Sequence, residues 1–430
     1  MAAPCLRHRH LAGALLCAGL LLAQPPAAGA GEPLPAPEAL RGWVAAALAG
    51  HPRLQASLAR LEEATALERA AGRPLYNPEL ELDLERAETD VAALGWSQSV
   101  DWADKQAARA RVAGLRRKAA REAWEATRQR LATELLTALG RLQGARALEA
   151  LARRRAELTA ELARIAEERF ASGDLPQVER TLTRLARAEA GLRRAEAADT
   201  VAEARQALEG LIGARDTVPP PPALPGQVPI PPQPPARAEL RERLPSLRRL
   251  AWEAQAAAAV VELRRRDRRP DPTVTVRGGR ENDQRLLGLS VSLPLFVRNP
   301  FRAEVEAAEQ ARLAAEARLE AVARRAQARA AAAARRYRLV HETWRTWREE
   351  ASPSLETQTR LLRRLWETGE LSTSDYLVQL DQALATEEAA RRLETRLWLA
   401  WFEWLEASGR VAAWLGLDGA PAHPAKERTP

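Results

Sequence analysis

The chain consists of two consecutive copies of one long pattern. In each copy a helical segment is followed by two short alternating segments, a very long helical segment, a glycine-centred turn and a return helix. Corresponding positions lie 193, 194 and 196 residues apart in the pairs Pro52 and Pro245, Pro78 and Pro272, and Gly173 and Gly369. A duplicated unit of this length indicates a pseudo-symmetric architecture. Because the unit combines strands with very long helices, it does not fit a simple compact globule.

Each copy contains two predicted β-strands, at 78–88 and 91–102 in the first copy and at 271–282 and 285–296 in the second. Apolar and polar residues alternate in these segments, as expected for strands with one apolar and one polar face. The apolar face includes Leu80, Leu82, Leu84, Trp96, Trp102, Leu287, Leu289 and Val291. Tryptophan on such a face suits a membrane interface, although a soluble hairpin packed on a core has the same pattern.

A long helical hairpin follows each strand pair. Residues 103–170 are rich in Ala, Arg, Leu and Glu and lack proline, which predicts a helix about 100 Å long. The return helix is predicted at about 177–212, and the second copy repeats the plan at 302–366 and 373–415. Apolar residues on the first return helix are spaced like the seam of a coiled coil: Leu182, Leu185, Leu192 and Val201.

These patterns divide the chain into five segments, and the predicted fold is mainly α with a small β part. The linker contains ten prolines and therefore excludes a helix or a central strand. The segments are a signal peptide at 1–30, a first repeat at 31–217 with its helical hairpin at 103–213, the linker at 218–235, a second repeat at 236–416 with its hairpin at 302–415, and a C-terminal tail at 417–430.

Residues 1–30 have the pattern of a secretion signal. A basic start precedes the apolar run at 11–23, and the small residues Ala28, Gly29 and Ala30 form a cleavage site. The apolar run is too short to span a membrane. Both cysteines lie within this segment, so the mature chain is expected to form no disulfide. No later apolar stretch reaches 18 residues, so a membrane crossing would have to use strands.

Composition argues against several classes of function. The net charge is +8, but arginine and glutamate are interspersed along the helices, which indicates a solvated surface and no nucleic-acid partner. The histidines that follow the signal segment, His51, His341 and His423, lie far apart, so no metal site is expected. The chain also lacks a phosphate-binding loop and a nucleophile triad. We therefore expect neither an enzyme nor a cofactor.

Several phrases in combination resemble the TolC family of outer-membrane efflux channels, over roughly residues 38–416. They are the strand blocks ending at 95–101 and 289–299, and two Gly-x-Leu turns, each with an acidic residue six positions after its glycine. The motif Leu-Pro-Leu-Phe-Val-Arg-Asn at 293–299 resembles the corresponding motif of one branch of the family. The proteins of that branch work with heavy-metal and related resistance-nodulation-division (RND) pumps.

The resemblance implies a homotrimer in the cell outer membrane with a large periplasmic part. Each protomer would give four strands to a shared 12-stranded β-barrel in contact with outer-membrane lipid. The helices would form a periplasmic α-barrel, belted by a smaller mixed equatorial region. The implied function is a passive exit duct of a tripartite efflux system, with a periplasmic adaptor and an inner-membrane RND-type pump as partners. Four strands of about ten residues cannot close a barrel alone, and open edges are forbidden in lipid.

The resemblance also assigns two sets of site residues. The hairpin tips that would dock the adaptor are Ser172, Gly173, Asp174, Leu175, Thr368, Gly369, Glu370 and Leu371. An acidic ring at the periplasmic entrance would include Asp375, with Glu179 at the matching position of the first copy. The family often has a second aspartate three residues further on; here that position is Val378 and Asp381 follows, so the ring is either single or shifted. An acidic residue in a first helical turn is also favoured by the helix dipole alone.

Two other readings of the sequence remain open. The first is a secreted helical scaffold without a pore, in which the strands form small soluble hairpins. The second is a periplasmic adaptor, which also contains long hairpins. Adaptors carry lipoyl-like and β-barrel domains and a single hairpin, so two copies of strand pair plus hairpin argue against this class.

Overall fold

The described part of the chain contains ten α-helices and one four-stranded sheet. The computed structural model describes residues 34–86, 90–213, 218–282 and 284–417, which lie in a single unit. The expected signal peptide at 1–30 and the tail after residue 417 lie outside the described residues. The helices are α1 (Glu38–Leu48), α2 (Pro52–Ala71), α3 (Lys105–Ala171), α4 (Gln177–Ile212), α5 (Arg237–Arg243), α6 (Pro245–Asp267), α7 (Arg302–Thr346), α8 (Ser352–Glu367), α9 (Thr373–Ser408) and α10 (Val411–Leu415). The strands are β1 (Glu79–Arg86), β2 (Asp90–Ser99), β3 (Thr273–Glu281) and β4 (Gln284–Ser292).

The four strands form one antiparallel sheet in the order β1-β2-β3-β4. The central pairing, β2 with β3, joins the strand pairs of the two sequence repeats. The register aligns Leu80, Trp96, Val276 and Leu289 in one row across all four strands. Since directly opposite residues point to the same side, these four apolar residues lie on one face of the sheet.

Two of the predicted strands are shorter than expected at their helical ends. The second strand ends at Ser99 and the fourth at Ser292, so Trp102 lies outside the sheet, in a turn before α3. The carboxylate of Asp101 explains why the second strand ends at Ser99. Its two oxygens accept hydrogen bonds from the backbone N–H groups of Lys105 and Gln106 and thereby start the helix. The expectation that Trp102 is a strand residue is therefore wrong.

The opposite face of the sheet is polar and closely packed at Gly279. A Cβ at this position would lie 2.3 Å from the carbonyl oxygen of Ala92 and 2.6 Å from the Cα of Ala93. Both atoms belong to the backbone of β2, so they cannot move without disturbing the pairing of the two repeats.

Replacing Gly279 with alanine is expected to lower the free energy of unfolding by about 2 kcal/mol, because the new methyl group would press β3 away from β2. Gly278 is the matched control, since a Cβ there would meet nothing within 4 Å. Denaturant unfolding of the purified protein measures both. Equal stability of the two variants would contradict the close approach.

The helical hairpin of the first repeat follows the sequence prediction closely. Helix α3 contains 67 residues, which corresponds to about 100 Å, and α4 begins and ends at the predicted residues. The predicted seam of α4 is only partly correct. Leu182, Leu185 and Leu192 are 41%, 62% and 68% exposed in the single chain, whereas Val201 packs against the main core.

The corresponding long helix of the second repeat is interrupted, contrary to the prediction of one helix at 302–366. A π-helical turn at Trp347–Ala351 separates α7 from α8, and the N–H of Ser352 bonds to the carbonyl of Trp347. Pro353 supplies the reason, because it has no N–H to donate and its ring clashes with a preceding carbonyl of a regular α-helix.

Other predicted helices are also divided. The helical segment that precedes the strand pair is broken before Pro52 in the first copy and before Pro245 in the second. Proline is favoured at the first position of a helix, where its missing N–H would have no partner, so both copies restart at the same point. The last helix is interrupted at Gly409 and resumes as α10.

The main hydrophobic core lies midway along the long helices. Its largest fully buried side chains belong to α1, α7 and α9, and they include Trp43, Tyr337, Trp401, Phe402 and Trp404. The tryptophans of α9 therefore serve to pack the core. The short helices α1, α5 and α10 and part of the linker surround this level. The equatorial region was expected to be mixed, but within residues 34–417 as described it contains no strand.

The two repeats are also joined by a buried ion pair where the sheet meets the helices. The ammonium Nζ of Lys105 lies 2.8 Å from Oδ2 of Asp271, and the side chains are 9% and 5% exposed. The hydroxyl of Tyr76 donates a 2.6 Å hydrogen bond to the same oxygen. Burial raises the pKa of Tyr76 to about 12, and the carboxylate of Asp271 adds to the shift.

Candidate functional site

The tip of the first hairpin is a glycine-terminated turn. Gly173 has a φ of +85°, the left-handed conformation that glycine adopts without steric cost. The N–H of Asp174 bonds to the carbonyl of Arg169, and the N–H of Gly173 bonds to that of Phe170. This pair of hydrogen bonds is the Schellman motif, which satisfies carbonyls at a helix end. Ser172, Gly173 and Asp174 are exposed, whereas Leu175 is buried.

The tip of the second hairpin repeats this geometry. Gly369 has a φ of +80°, and the N–H groups of Glu370 and Gly369 bond to the carbonyls of Leu365 and Trp366. Thr368 and Glu370 are exposed, and Leu371 is half-buried. A Cβ at Gly173 or Gly369 would have no atom of the described residues within 4 Å. Both glycines are thus required by backbone conformation, and the space around both is open.

Asp375 lies in the first turn of α9 and takes part in a reciprocal cap. Its N–H donates to Oγ of Ser372 at 3.1 Å, and the hydroxyl of Ser372 donates to the Asp375 carboxylate at 2.7 Å. Ser372 and Asp375 therefore cap the N-terminus of α9. The carboxylate of Asp375 remains exposed to solvent. A structural role in the cap and a charge available to passing ions are compatible at this position.

The other two candidate gate residues have different surroundings. Glu179 occupies the third position of α4, which matches Asp375 in α9, but the N-cap there is Pro176, which offers no side-chain partner. Asp381 forms an ion pair with Arg155 of α3. Burial and the nearby Arg193 lower the pKa of Arg155. Asp381 is consequently held by a cation of its own protomer, whereas Asp375 has no such partner among the described residues.

A small hydrophobic cluster links the two hairpins near their tips. It joins α3 of the first repeat to α8 and α9 of the second, and the rings of Trp366 and Tyr376 stack at 5.1 Å between centroids. The guanidinium of Arg169, in the last turn of α3, lies over the Trp366 ring at 5.3 Å. Burial raises the pKa of Tyr376. Aromatic packing therefore couples the position of one tip to the other.

A salt-bridge pair fixes the first hairpin just before its tip. Glu167 of α3 accepts hydrogen bonds from Arg184 at 2.5 Å and from Arg180 at 2.9 Å, both on α4. The bond from Arg184, reinforced by that from Arg180, lowers the pKa of Glu167. These salt bridges hold α3 and α4 together next to the turn.

Sequence reasoning missed Arg155, although a signal was present. Leu151, Leu158 and Leu162 form an apolar stripe on α3, and Arg155 interrupts it at a position that faces the same side. A charged residue within such a stripe indicates a partner of opposite charge. Asp381 interrupts the stripe of α9 in the same way, between Leu380 and Leu384.

At the other end of the molecule, the apolar face of the sheet is open in the single chain. The large side chains on it are between 49% and 84% exposed: Leu80, Leu82, Leu84, Leu94, Trp96, Leu287, Leu289 and Val291. Among the described residues, strands β1 and β4 each pair with one neighbour only. Over the described ranges of the chain, no helix combines the length and the apolar character needed to cross a membrane.

Comparison with known proteins identifies the fold through solved structures. No family model and no curated protein matches the chain. A membrane protein from Pseudomonas aeruginosa matches with a TM-score of 0.73 and 21% identity over 86% of this chain and 94% of that one. The outer-membrane channel OprN matches with a TM-score of 0.72 and 19% identity, over 86% of this chain and 90% of that one. The Campylobacter jejuni CmeC outer membrane channel matches with a TM-score of 0.72 and 16% identity, over 87% of this chain and 86% of that one.

Each of these three matches covers 86% or 87% of this chain. The order of elements agrees with the sequence expectation of strand pairs followed by helical hairpins in two copies. The chain therefore has the fold of these solved outer-membrane channels.

Proposed function

We propose that this protein is an outer-membrane channel that passively conducts substrates as the exit duct of a tripartite efflux system. The observation that carries the proposal is the sheet, with an open apolar face and two unpaired edges, attached to helices about 100 Å long. The similarity of fold to solved outer-membrane channels supports it. Conduction breaks no bond, so the energy would come from a partner pump.

The unpaired edges support a trimer. A four-stranded sheet in lipid leaves backbone groups of β1 and β4 without partners, at a cost of several kcal/mol for each group. Pairing β4 of one protomer with β1 of the next removes both edges, and three protomers give twelve strands. The polar face, including Glu79, Glu81 and Asp83, then lines the water-filled lumen.

The exposed stripe of α4 supports the same assembly in the periplasm. Leu182, Leu185 and Leu192 lie open in the single chain, although leucines at this spacing normally pack against another helix. We infer that a neighbouring protomer covers them when the helical hairpins close into an α-barrel.

The hairpin tips are the proposed contact with the partner proteins. The exposed turns at 172–174 and 368–370 are the proposed docking surface for a periplasmic adaptor, with an RND-type pump behind it. Their open surroundings support a close approach by a partner hairpin. The assignment to the heavy-metal branch rests on the phrase at 293–299 alone.

Asp375 is the proposed gate residue, because three exposed copies near the axis would bind cations. Replacing it with asparagine is expected to raise single-channel conductance and to weaken block by multivalent cations. The variant Ser372→Ala is the matched control, since it removes the cap and keeps the charge. Planar-bilayer recordings of both separate the roles. If Ser372→Ala and Asp375→Asn changed conductance equally, the cap and not the charge would be responsible.

The proposed function is tested by the native mass and membrane fraction of the protein expressed with residues 1–30. We expect a trimer in the outer-membrane fraction that requires detergent for extraction and forms ion-conducting pores in a planar bilayer. A soluble periplasmic monomer would contradict the shared barrel and would favour the helical scaffold.

A further inference from the structure

Two arginines meet on the apolar face of the sheet, at the end of the strands that is distant from the helices. The register places Arg280 of β3 directly opposite Arg285 of β4. Alternation along β3 sets Arg280 on the same side as Val276 and Gly278, and along β4 it sets Arg285 on the side of Leu287 and Leu289. The two guanidinium groups therefore project outward from the sheet, on the side that we propose faces lipid.

This pair has no neutralising partner within the described residues. Both side chains are exposed, and neither forms an ion pair or a hydrogen bond with another described side chain. A third arginine, Arg86 at the same end of β1, lies 3.7 Å from Asp90, a pair that is itself largely exposed. Like charges directly opposite each other on neighbouring strands are destabilising. The arrangement thus favours an anion that bridges the two guanidinium groups.

The position of the pair relative to the apolar surface limits what that anion can be. Arg285 lies two residues beyond Leu287, which is about 7 Å along the strand. The helices attach at the opposite end of the sheet, after Ser99 and Ser292 and before Glu79 and Thr273. If the helices are periplasmic, the arginines lie at the level of the outer leaflet's polar groups. An anion at this level that is also anchored beside leucine side chains is the phosphate of a membrane glycolipid.

We propose that Arg280 and Arg285 form a binding site for the phosphate groups of an anionic glycolipid, such as lipid A, in the outer leaflet. The planar guanidinium matches phosphate with two parallel hydrogen bonds, and its weak hydration suits a site beside hydrocarbon. The acyl chains of the same lipid would cover Leu287 in the adjacent row and Leu84, which lies in the row of the two arginines. This proposal rests on the proposed outer-membrane location.

The test measures binding of diphosphoryl lipid A to the detergent-solubilised full-length trimer by native mass spectrometry. The variant Arg280→Gln/Arg285→Gln is compared with Arg60→Gln/Arg318→Gln, which removes two exposed helical arginines and the same charge. We expect the first variant to bind lipid A about ten-fold more weakly and the control to match the wild type. Dephosphorylated lipid A should bind the wild type as weakly as diphosphoryl lipid A binds the first variant.

Two further arms keep the outcomes distinct. Inorganic phosphate at millimolar concentration should not displace lipid A, because it lacks the acyl chains; displacement would indicate a free-phosphate site and overturn the lipid proposal. Arg280→Lys/Arg285→Lys should retain part of the affinity, since it keeps charge but loses bidentate geometry. Equal binding by all variants, in a trimer that still conducts, would overturn the lipid site and leave the channel standing. A soluble monomer would overturn both.

Discussion

Replacing Asp271 with alanine is expected to lower the free energy of unfolding by about 3 to 5 kcal/mol. The change leaves the ammonium of Lys105 buried at 9% exposure without a counter-ion, and it removes the acceptor of the Tyr76 hydroxyl. The second oxygen of Asp271, Oδ1, has no hydrogen-bond partner among the described residues. Lys105 and Tyr76 therefore provide the compensation for burying this carboxylate. Denaturant unfolding of the detergent-solubilised protein measures the loss.

The design of this experiment separates charge burial from side-chain packing. The double variant Lys105→Met/Asp271→Leu removes both charges, so we expect it to be more stable than either single variant. Arg312→Met is the surface control, because it breaks an exposed pair with Glu316 within α7 and should cost less than about 0.5 kcal/mol. A double variant as unstable as the sum of its parts would contradict the buried ion pair.

Replacing Leu289 with arginine is expected to prevent most of the protein from assembling in the outer membrane. Leu289 lies in the row that crosses all four strands, and it is 72% exposed on the apolar face. An arginine on the lipid face near the midplane costs about 2 to 4 kcal/mol, and a trimer would carry three copies. The amount of trimer in the outer-membrane fraction, compared with the total expressed, measures the effect. Leu82→Arg should behave in the same way.

The matched control is the neighbouring residue on the opposite face. Ser290 follows Leu289 in β4 and lies opposite Thr275, on the polar side of the sheet. Ser290→Arg introduces the same side chain into the proposed lumen and should leave the amount of trimer unchanged. If Leu289→Arg and Ser290→Arg assembled equally well, the assignment of the two faces would be wrong.

Local features of the fold were predictable because short-range sequence encodes them. The limits of α4 follow from the turn at Gly173 and the stop at Gly213, and the strand faces follow from two-residue alternation. The cap at Ser372 is encoded locally as well, because serine is favoured at the position directly before a helix. The breaks before Pro52 and Pro245, and the π-turn before Pro353, had a readable signal as well. They were missed because the apolar period continues across them and was given more weight than proline.

Long-range pairs were not predictable. Lys105 and Asp271 lie 166 residues apart, and Arg155 and Asp381 lie 226 apart, so no local pattern relates them. Each pair contains at least one buried charged side chain, and that burial depends on how the two repeats pack together. The alternation of the strands established which residues share a face. The pairing of β2 with β3 determined which rows meet across the sheet, and thereby placed Arg280 opposite Arg285.

By itself, the sequence determined the duplication, the helix and strand types, the tips and the apolar face of each strand, because dihedral preference and amphipathic period act over a few residues. Only the tertiary structure determined how the two repeats contact each other, which partner each buried charge has and how exposed the leucines of α4 are. These depend on which surfaces come together in space, and burial and charge pairing are properties of that contact and not of either segment.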